Sequence, residues 1–491
     1  MKGITEIILT NVETGEVEVH RDENLITNAI DKLINIEMAM NHAPNTRLLP
    51  IATNALGGIM LFDGDLTEDV NNIHFPVEAH LVGYANTSVN TSDKYRGSWN
   101  SVESGKTGTG YVSVWDFGTT QANGTIKAVA RTHNHGGAAP LFNYNGPENI
   151  NTGSGNPTTD DYWYPIRYDG KYLYMLKGNS STHLMRLARV KIPRLSMGVA
   201  DYSNVARTYE VIASWDTLLT SYTYYYNQDY KDRDYNPQER YCYADDPLMY
   251  EDGHDGYIYC IGYSPTESYH TYPYDLTYFR IKYDDDSYDK SDTIRLTTGL
   301  SKYAYNANGF RWARRQYGHV NGGKLYILAG NRKIIHIVPL DNIAAYSSIR
   351  LIEDTNSDYI PQLEFISPHN GGVYVEVYHY TESSYNYRHG ILYPDGVYII
   401  PEVSYAGTSG YHGNGFIYER CRTCDDDLIV WSYGYATEVL CNWAANYLGT
   451  INNLSSPITK TAAQTMKIVY TLTDIEEDES GDDDGGEDGN G

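Results

Sequence analysis

Four histidines stand just ahead of an Asx-Gly pair in this chain: His254 before Asp255-Gly256, His319 before Asn321-Gly322, His369 before Asn370-Gly371 and His412 before Asn414-Gly415. Imidazoles at matching places in a repeated unit could form a ring that binds a metal or an anionic sugar and titrates near neutral pH. Each could equally cap its own turn, since equivalent positions in separate units lie far apart except near a common axis. A second group is aromatic: Tyr222, Tyr224, Tyr225, Tyr226, Tyr230 and Tyr235 alternate with Asn, Asp, Gln and Arg. Flat phenol rings with adaptable polar neighbours suit stacking on sugars, the same physics that makes antibody loops tyrosine-rich. The stretch also fits a long edge hairpin that uses tyrosine for its strand propensity. Of the two groups, the tyrosines are the better expectation for ligand contact.

Other constellations lead to no catalytic or metal assignment. Asp245-Asp246, Asp284-Asp285-Asp286 and Asp425-Asp426-Asp427 supply carboxylates, and a glycosidase needs only two of them. No spacing sets such a pair across a cleft, and adjacent loop aspartates are ordinarily solvated turn formers. His133 and His135 share one side of a strand, with no third ligand in view. Cys421 and Cys424 form a lone CxxC among 5 scattered cysteines, which argues against both a zinc site and a disulfide framework. No cofactor is expected.

Elements that turn sharply and carry aromatic strands must position these residues. An Asx-Gly pair followed by an aromatic-aliphatic run occurs at Asp169-Gly170, Asp255-Gly256, Asn321-Gly322, Asn370-Gly371 and Asn414-Gly415. Asx-Gly suits a two-residue hairpin because both central residues need positive φ. The intervals shorten towards the C-terminus until they match the roughly 40–50 residues of a propeller blade. In the clearest unit, strands are expected at 314–320, 324–328, 334–338 and 348–352. The expectation is an all-β protein with a five- or six-bladed β-propeller; a stacked sandwich or solenoid of hairpins is the alternative.

Residues 1–155 read as a small, mostly β unit with one helix. Alternation predicts a hairpin over 4–10 and 17–20 around Gly15, a helix from Thr27 or Asn28 to Met40, and strands at 58–62, 110–117 and 125–131. Alternation returns at Met466–Leu472, so 446–473 is expected to complete that unit, with 156–445 inserted as the propeller. The acidic, glycine-rich end, 474–491, cannot bury apolar surface and is expected to be disordered.

Composition narrows the partners. The chain has 49 Tyr against 8 Phe, and 37 Lys plus Arg against 63 Asp plus Glu, a net charge of −26. With no basic stripe for phosphates, nucleic acid is not expected as a partner. No stretch reaches the apolar length of a membrane span and the N-terminus has no secretory pattern, so cytoplasmic synthesis without membrane insertion is expected.

The flanking sequences carry a resemblance. Thr14-Gly15-Glu16, Asn24–Asn28, Leu56–Asp63, Arg96–Asn100, Val114–Gly118, Ala122–Ile126, Thr450–Leu454, Pro457–Thr461 and Met466–Leu472 resemble tail-fibre and receptor-binding proteins of phages and prophages of Gram-positive bacteria. The resemblance covers about the first 137 and last 45 residues. It implies a virion tail or baseplate component whose terminal domain meets other tail subunits while the insert meets a bacterial surface glycan or protein. It also implies a homotrimer, although no coiled coil or stem is visible. The alternatives are a tail-associated polysaccharide depolymerase and a purely structural baseplate or tail-decoration protein.

Overall fold

The computed structural model describes residues 1–30, 51–87, 89, 93–134 and 439–473, and between 134 and 439 the strands given below with residues 323, 340–342, 345–346, 393–395 and 397. All but a few of the described elements are strands.

The first body is a barrel. Its strands are β1 (Lys2–Asn11), β2 (Val17–Ile26), β3 (Gly58–Phe62), β4 (Leu81–Ala85), β5 (Ser98–Trp99), β6 (Gly105–Lys106), β7 (Gly110–Phe117), β8 (Gly124–Thr132), β32 (Thr450–Lys460) and β33 (Gln464–Thr473). They form one sheet in the order β4-β3-β8-β32-β2-β1-β33-β7-β5, with β6 also on β7. The sheet's two edges meet at a parallel bridge between Tyr84 and Arg96, just ahead of β5. There the Tyr84 N–H donates to the Tyr95 carbonyl at 2.8 Å and the Gly97 N–H to the Tyr84 carbonyl at 2.8 Å. Closure leaves no open edge at that seam.

Period-two alternation fills the interior, because successive strand side chains point to opposite faces. Ile7 and Leu9 of β1, Met466, Ile468, Tyr470 and Leu472 of β33, and Trp115 and Phe117 of β7 share one buried cluster. The expected first hairpin, the three N-terminal strands and the returning strand at 466–472 are all present. Of the expected helix, Ala29 and Ile30 are helical and 31–40 lies outside the described residues.

The chain between β8 and β32 forms a five-bladed β-propeller. Its blades are the antiparallel sheets β11 (Tyr164–Tyr168), β12 (Tyr172–Asn179), β13 (Leu184–Lys191), β14 (Tyr209–Asp216); β17 (Met249–Asp252), β18 (Tyr257–Tyr263), β19 (Asp275–Lys282), β20 (Tyr288–Arg295); β21 (Gly318–Asn321), β22 (Lys324–Leu328), β23 (Ile334–Pro339), β24 (Ser347–Arg350); and β25 (Tyr359–Ser367), β26 (Gly372–Thr381), β27 (Ser384–Leu392), β28 (Tyr398–Ile399). The fifth combines β29 (Arg422–Thr423), β30 (Ile429–Tyr433) and β31 (Val439–Ala445) with β9 (Leu141–Asn143) and β10 (Ile150–Asn151), both of which pair with β31. A separate hairpin, β15 (Ser221–Tyr224) and β16 (Gln238–Tyr241), sits between the first two blades in sequence.

First strands of successive blades adjoin in the order β11, β17, β21, β25, β29, and β29 returns to β11. This closes the ring. The fifth blade is stitched from both ends of the insertion, so the closure is tied by the antiparallel pairing of Ile150 with Leu440 and Asn151 with Val439.

One turn differs from expectation. Asn321 pairs with Lys324 and so belongs to the ladder rather than to the turn, in which Gly323 has φ 68°. A second glycine takes the positive φ at no steric cost and releases Asn321 to the ladder.

Candidate functional site

The connectivity of the blades defines two rims. In a four-stranded meander, the first-to-second and third-to-fourth turns lie at one end, whereas the second-to-third turn and the link to the next blade lie at the other.

The first of these rims faces the barrel. The turn between β27 and β28 is a third-to-fourth turn, and there the Tyr393 hydroxyl accepts the Leu81 N–H at 2.7 Å while His80 Nε2 meets Asp395 Oδ2 at 2.9 Å. His80 Nδ1 lies 3.3 Å from Asp63 Oδ2, so one imidazole stands between a barrel carboxylate and a propeller carboxylate. Tyr393 is 1% exposed, and its ring meets the His80 ring edge-on at 4.5 Å. Strand β31 leaves the fifth blade at this same end and runs through Tyr447 into β32, while β9 starts there beside Ala445. Both chain crossings and the tyrosine-histidine contact thus mark one rim as proximal.

Sequence-derived candidates fall on opposite rims. His319 is in β21, paired with Tyr326 of β22, next to a first-to-second turn and therefore at the proximal end. His254, His369 and His412 lie outside the described residues. Tyr222 and Tyr224 are in β15, paired with Arg240 and Gln238 of β16. The hairpin belongs to the link from β14 to β17, and both of those strands meet the link at the distal end. Tyr225, Tyr226, Tyr230 and Tyr235, together with all three aspartate runs, lie outside the described residues.

Among the described residues no group of three or more His, Cys, Asp and Glu gathers as a metal site. No described helix is long and apolar enough to cross a membrane. Within the propeller, His336 is 1% exposed, takes a 2.7 Å hydrogen bond with Ser348 Oγ, and has its pKa lowered by burial. Burial likewise pushes the Tyr326 phenol up to about 12. Both are buried positions of the third blade.

Sequence reasoning missed a polar centre inside the barrel. Arg131 of β8 is fully buried, with its guanidinium carbon 4.4 Å from the Trp115 ring centre and 4.2 Å from that of Tyr470. Its Nε–H donates to the Gly58 carbonyl at 2.9 Å. Nothing in the run Thr125–Arg131 marks its last residue as interior, because the two rings that sandwich it come from distant strands.

No protein-family model matches this chain, and no curated protein is similar to it. Among solved structures it is similar to the catalytic domain of a Coprinopsis cinerea GH62 alpha-L-arabinofuranosidase, at 9% identity, covering 64% of this chain and 98% of that one, with a TM-score of 0.30. A structure from the GH130 family of mannoside phosphorylases has 11% identity over 66% of this chain and 96% of its own, with a TM-score of 0.29. The arabinofuranosidase PaAbf62A from Podospora anserina follows at 10% identity, 65% and 98% coverage, and a TM-score of 0.26. Likenesses of this degree carry no argument about activity.

Proposed function

We propose that the chain is a receptor-binding protein of a phage or prophage tail, in which the barrel attaches to other tail subunits and the propeller binds a bacterial surface glycan or protein through its distal rim. The observation that carries this reading is polarity: both chain crossings and the Tyr393–Leu81 contact lie at one rim, which leaves the opposite rim, with Tyr222 and Tyr224, facing away from the barrel. A module held at one face and free at the other is suited to presenting a surface. The resemblance of the flanking sequences to tail proteins supplies the tail, and the tyrosine-rich hairpin suggests a carbohydrate.

The test uses the full chain, fluorescently labelled, against a panel of Gram-positive cells and their isolated wall polysaccharides. Saturable binding is expected, weakened about tenfold by replacing Tyr222 and Tyr224 with serine, as loss of aromatic stacking would do, and unchanged by His319→Ala. Absence of binding across the panel would sink the reading. Release of reducing ends from a bound polysaccharide would install the depolymerase reading in its place.

A further inference from the structure

Among the described residues no acid meets the buried Arg131 guanidinium. Its Nη1 and Nη2 make no hydrogen bond, and the groups that act on its charge are the phenols of Tyr470 and Tyr447, with no carboxylate among them. Burial pushes its pKa down to about 9, so it is still a cation at neutral pH. Aromatic faces offset part of the cost of removing a cation from water. They cannot accept its outward N–H groups.

Other polar groups converge on the same place and are equally unanswered. Thr450 is the cross-strand partner of both Arg131 and Ile26, and Asn452 lies two residues further along the same strand. Asn24 pairs with Gly3, and the Tyr470 hydroxyl fills the space over Gly3 where a side chain would stand. Tyr470 is itself the partner of Thr5, whose hydroxyl donates to Asn24 Oδ1 at 2.9 Å. Asn24 Nδ2, Asn452 Nδ2, Thr450 Oγ1 and Tyr470 Oη all lack a hydrogen-bond partner and are buried. Thr450 lies close enough to the Tyr470 phenol for its side chain to lower that pKa by hydrogen bonding, although the contact falls short of a full hydrogen bond.

Guanidinium and amide nitrogens can only donate, and the two hydroxyls can donate as well. The guanidinium and the two amides bring only unanswered donors, and the two hydroxyls can turn theirs the same way, so donors outnumber acceptors here and the cluster defines a site for an acceptor. Water would satisfy the hydrogen bonds but leave the buried positive charge uncompensated, which is the costlier deficit. We propose that the barrel interior holds a small monovalent anion of the chloride type, bound between the Arg131 guanidinium and the hydroxyls and amides of Tyr470, Thr450, Asn24 and Asn452. The anion is a structural counter-ion enclosed by the sheet, independent of what the propeller binds.

The full chain, purified and crystallised from bromide salts, tests this through anomalous diffraction at the bromine edge. A peak beside the Arg131 Nη atoms is expected. In solution, thermal melting at fixed ionic strength should give a Tm a few degrees higher in chloride than in gluconate, an anion too bulky for the site. The difference should vanish in Arg131→Met; if that variant does not fold, the wild-type diffraction and melting comparison decide alone. An ordered water only at the site, or coincident melting curves in the two salts, would overturn the proposal.

Discussion

His80 of the barrel meets Asp395 of the propeller at 2.9 Å, Nε2 to Oδ2. Side chains there are partly exposed, at 34% and 52%, so the pair contributes at most about 1 kcal/mol. The buried contact beside it is stronger. Tyr393→Phe strips the acceptor from the Leu81 N–H, and a buried donor without a partner costs about 1–3 kcal/mol. Thermal melting of the two single variants should therefore rank Tyr393→Phe as more destabilising than His80→Ala. The reverse order would show that the ion pair, and not the tyrosine, ties the two bodies.

Two glycines of neighbouring strands should respond oppositely to the same change. A Cβ on Gly110 would run into the backbone carbonyl of Leu472, whereas one on Gly105 meets nothing within 4 Å. Backbone cannot step aside as a side-chain tip can, so Gly110→Ala should cost at least about 1–3 kcal/mol and Gly105→Ala roughly nothing beyond 0.5 kcal/mol. Denaturation midpoints of the pair give the answer, and equal midpoints would contradict the close approach of β7 and β33.

Lys460 sets a pH dependence. Its Nζ donates to Asn123 Oδ1 at 2.7 Å, and burial lowers its pKa from 10.5 to about 8. Below about 8 the folded and unfolded chains are both protonated at this group. Between about 8 and 10.5 the unfolded chain holds the extra proton, so this group makes stability rise with pH. Lys460→Met should remove that rise. Melting is best compared below pH 10, where the phenols of Tyr326 and Tyr470, both raised to about 12, remain protonated. Parallel pH profiles for the wild type and the variant would contradict the assignment.

Much of the architecture was legible in local pattern. Alternation in Met466–Leu472 identified a strand whose inward set is Met466, Ile468, Tyr470 and Leu472, and the unit around Asn321 has its four strands within a few residues of where the pattern set them. What local pattern could not carry was pairing at long range. Ile150 joins Leu440, and neither short strand announces its partner because β-ladders are fixed by closure of the whole ring. The interior cation was hidden for a similar reason: Arg131 lies near the end of β8, and only the assembled barrel brings Trp115 and Tyr470 over it. For the candidate site, the tyrosine run pointed to a hairpin, but which rim it occupies follows from blade connectivity and not from the run.

The propeller leaves and rejoins the barrel next to Arg131 and Thr450, which face each other across β8 and β32. Facing residues in an antiparallel pair are only about 5 Å apart, so the barrel asks of its insert two closely spaced ends and, from the β27–β28 turn, an acceptor for the Leu81 N–H. Exchanging one insert for another would therefore keep every barrel strand and lose only the contacts that Tyr393 and Asp395 make with Leu81 and His80.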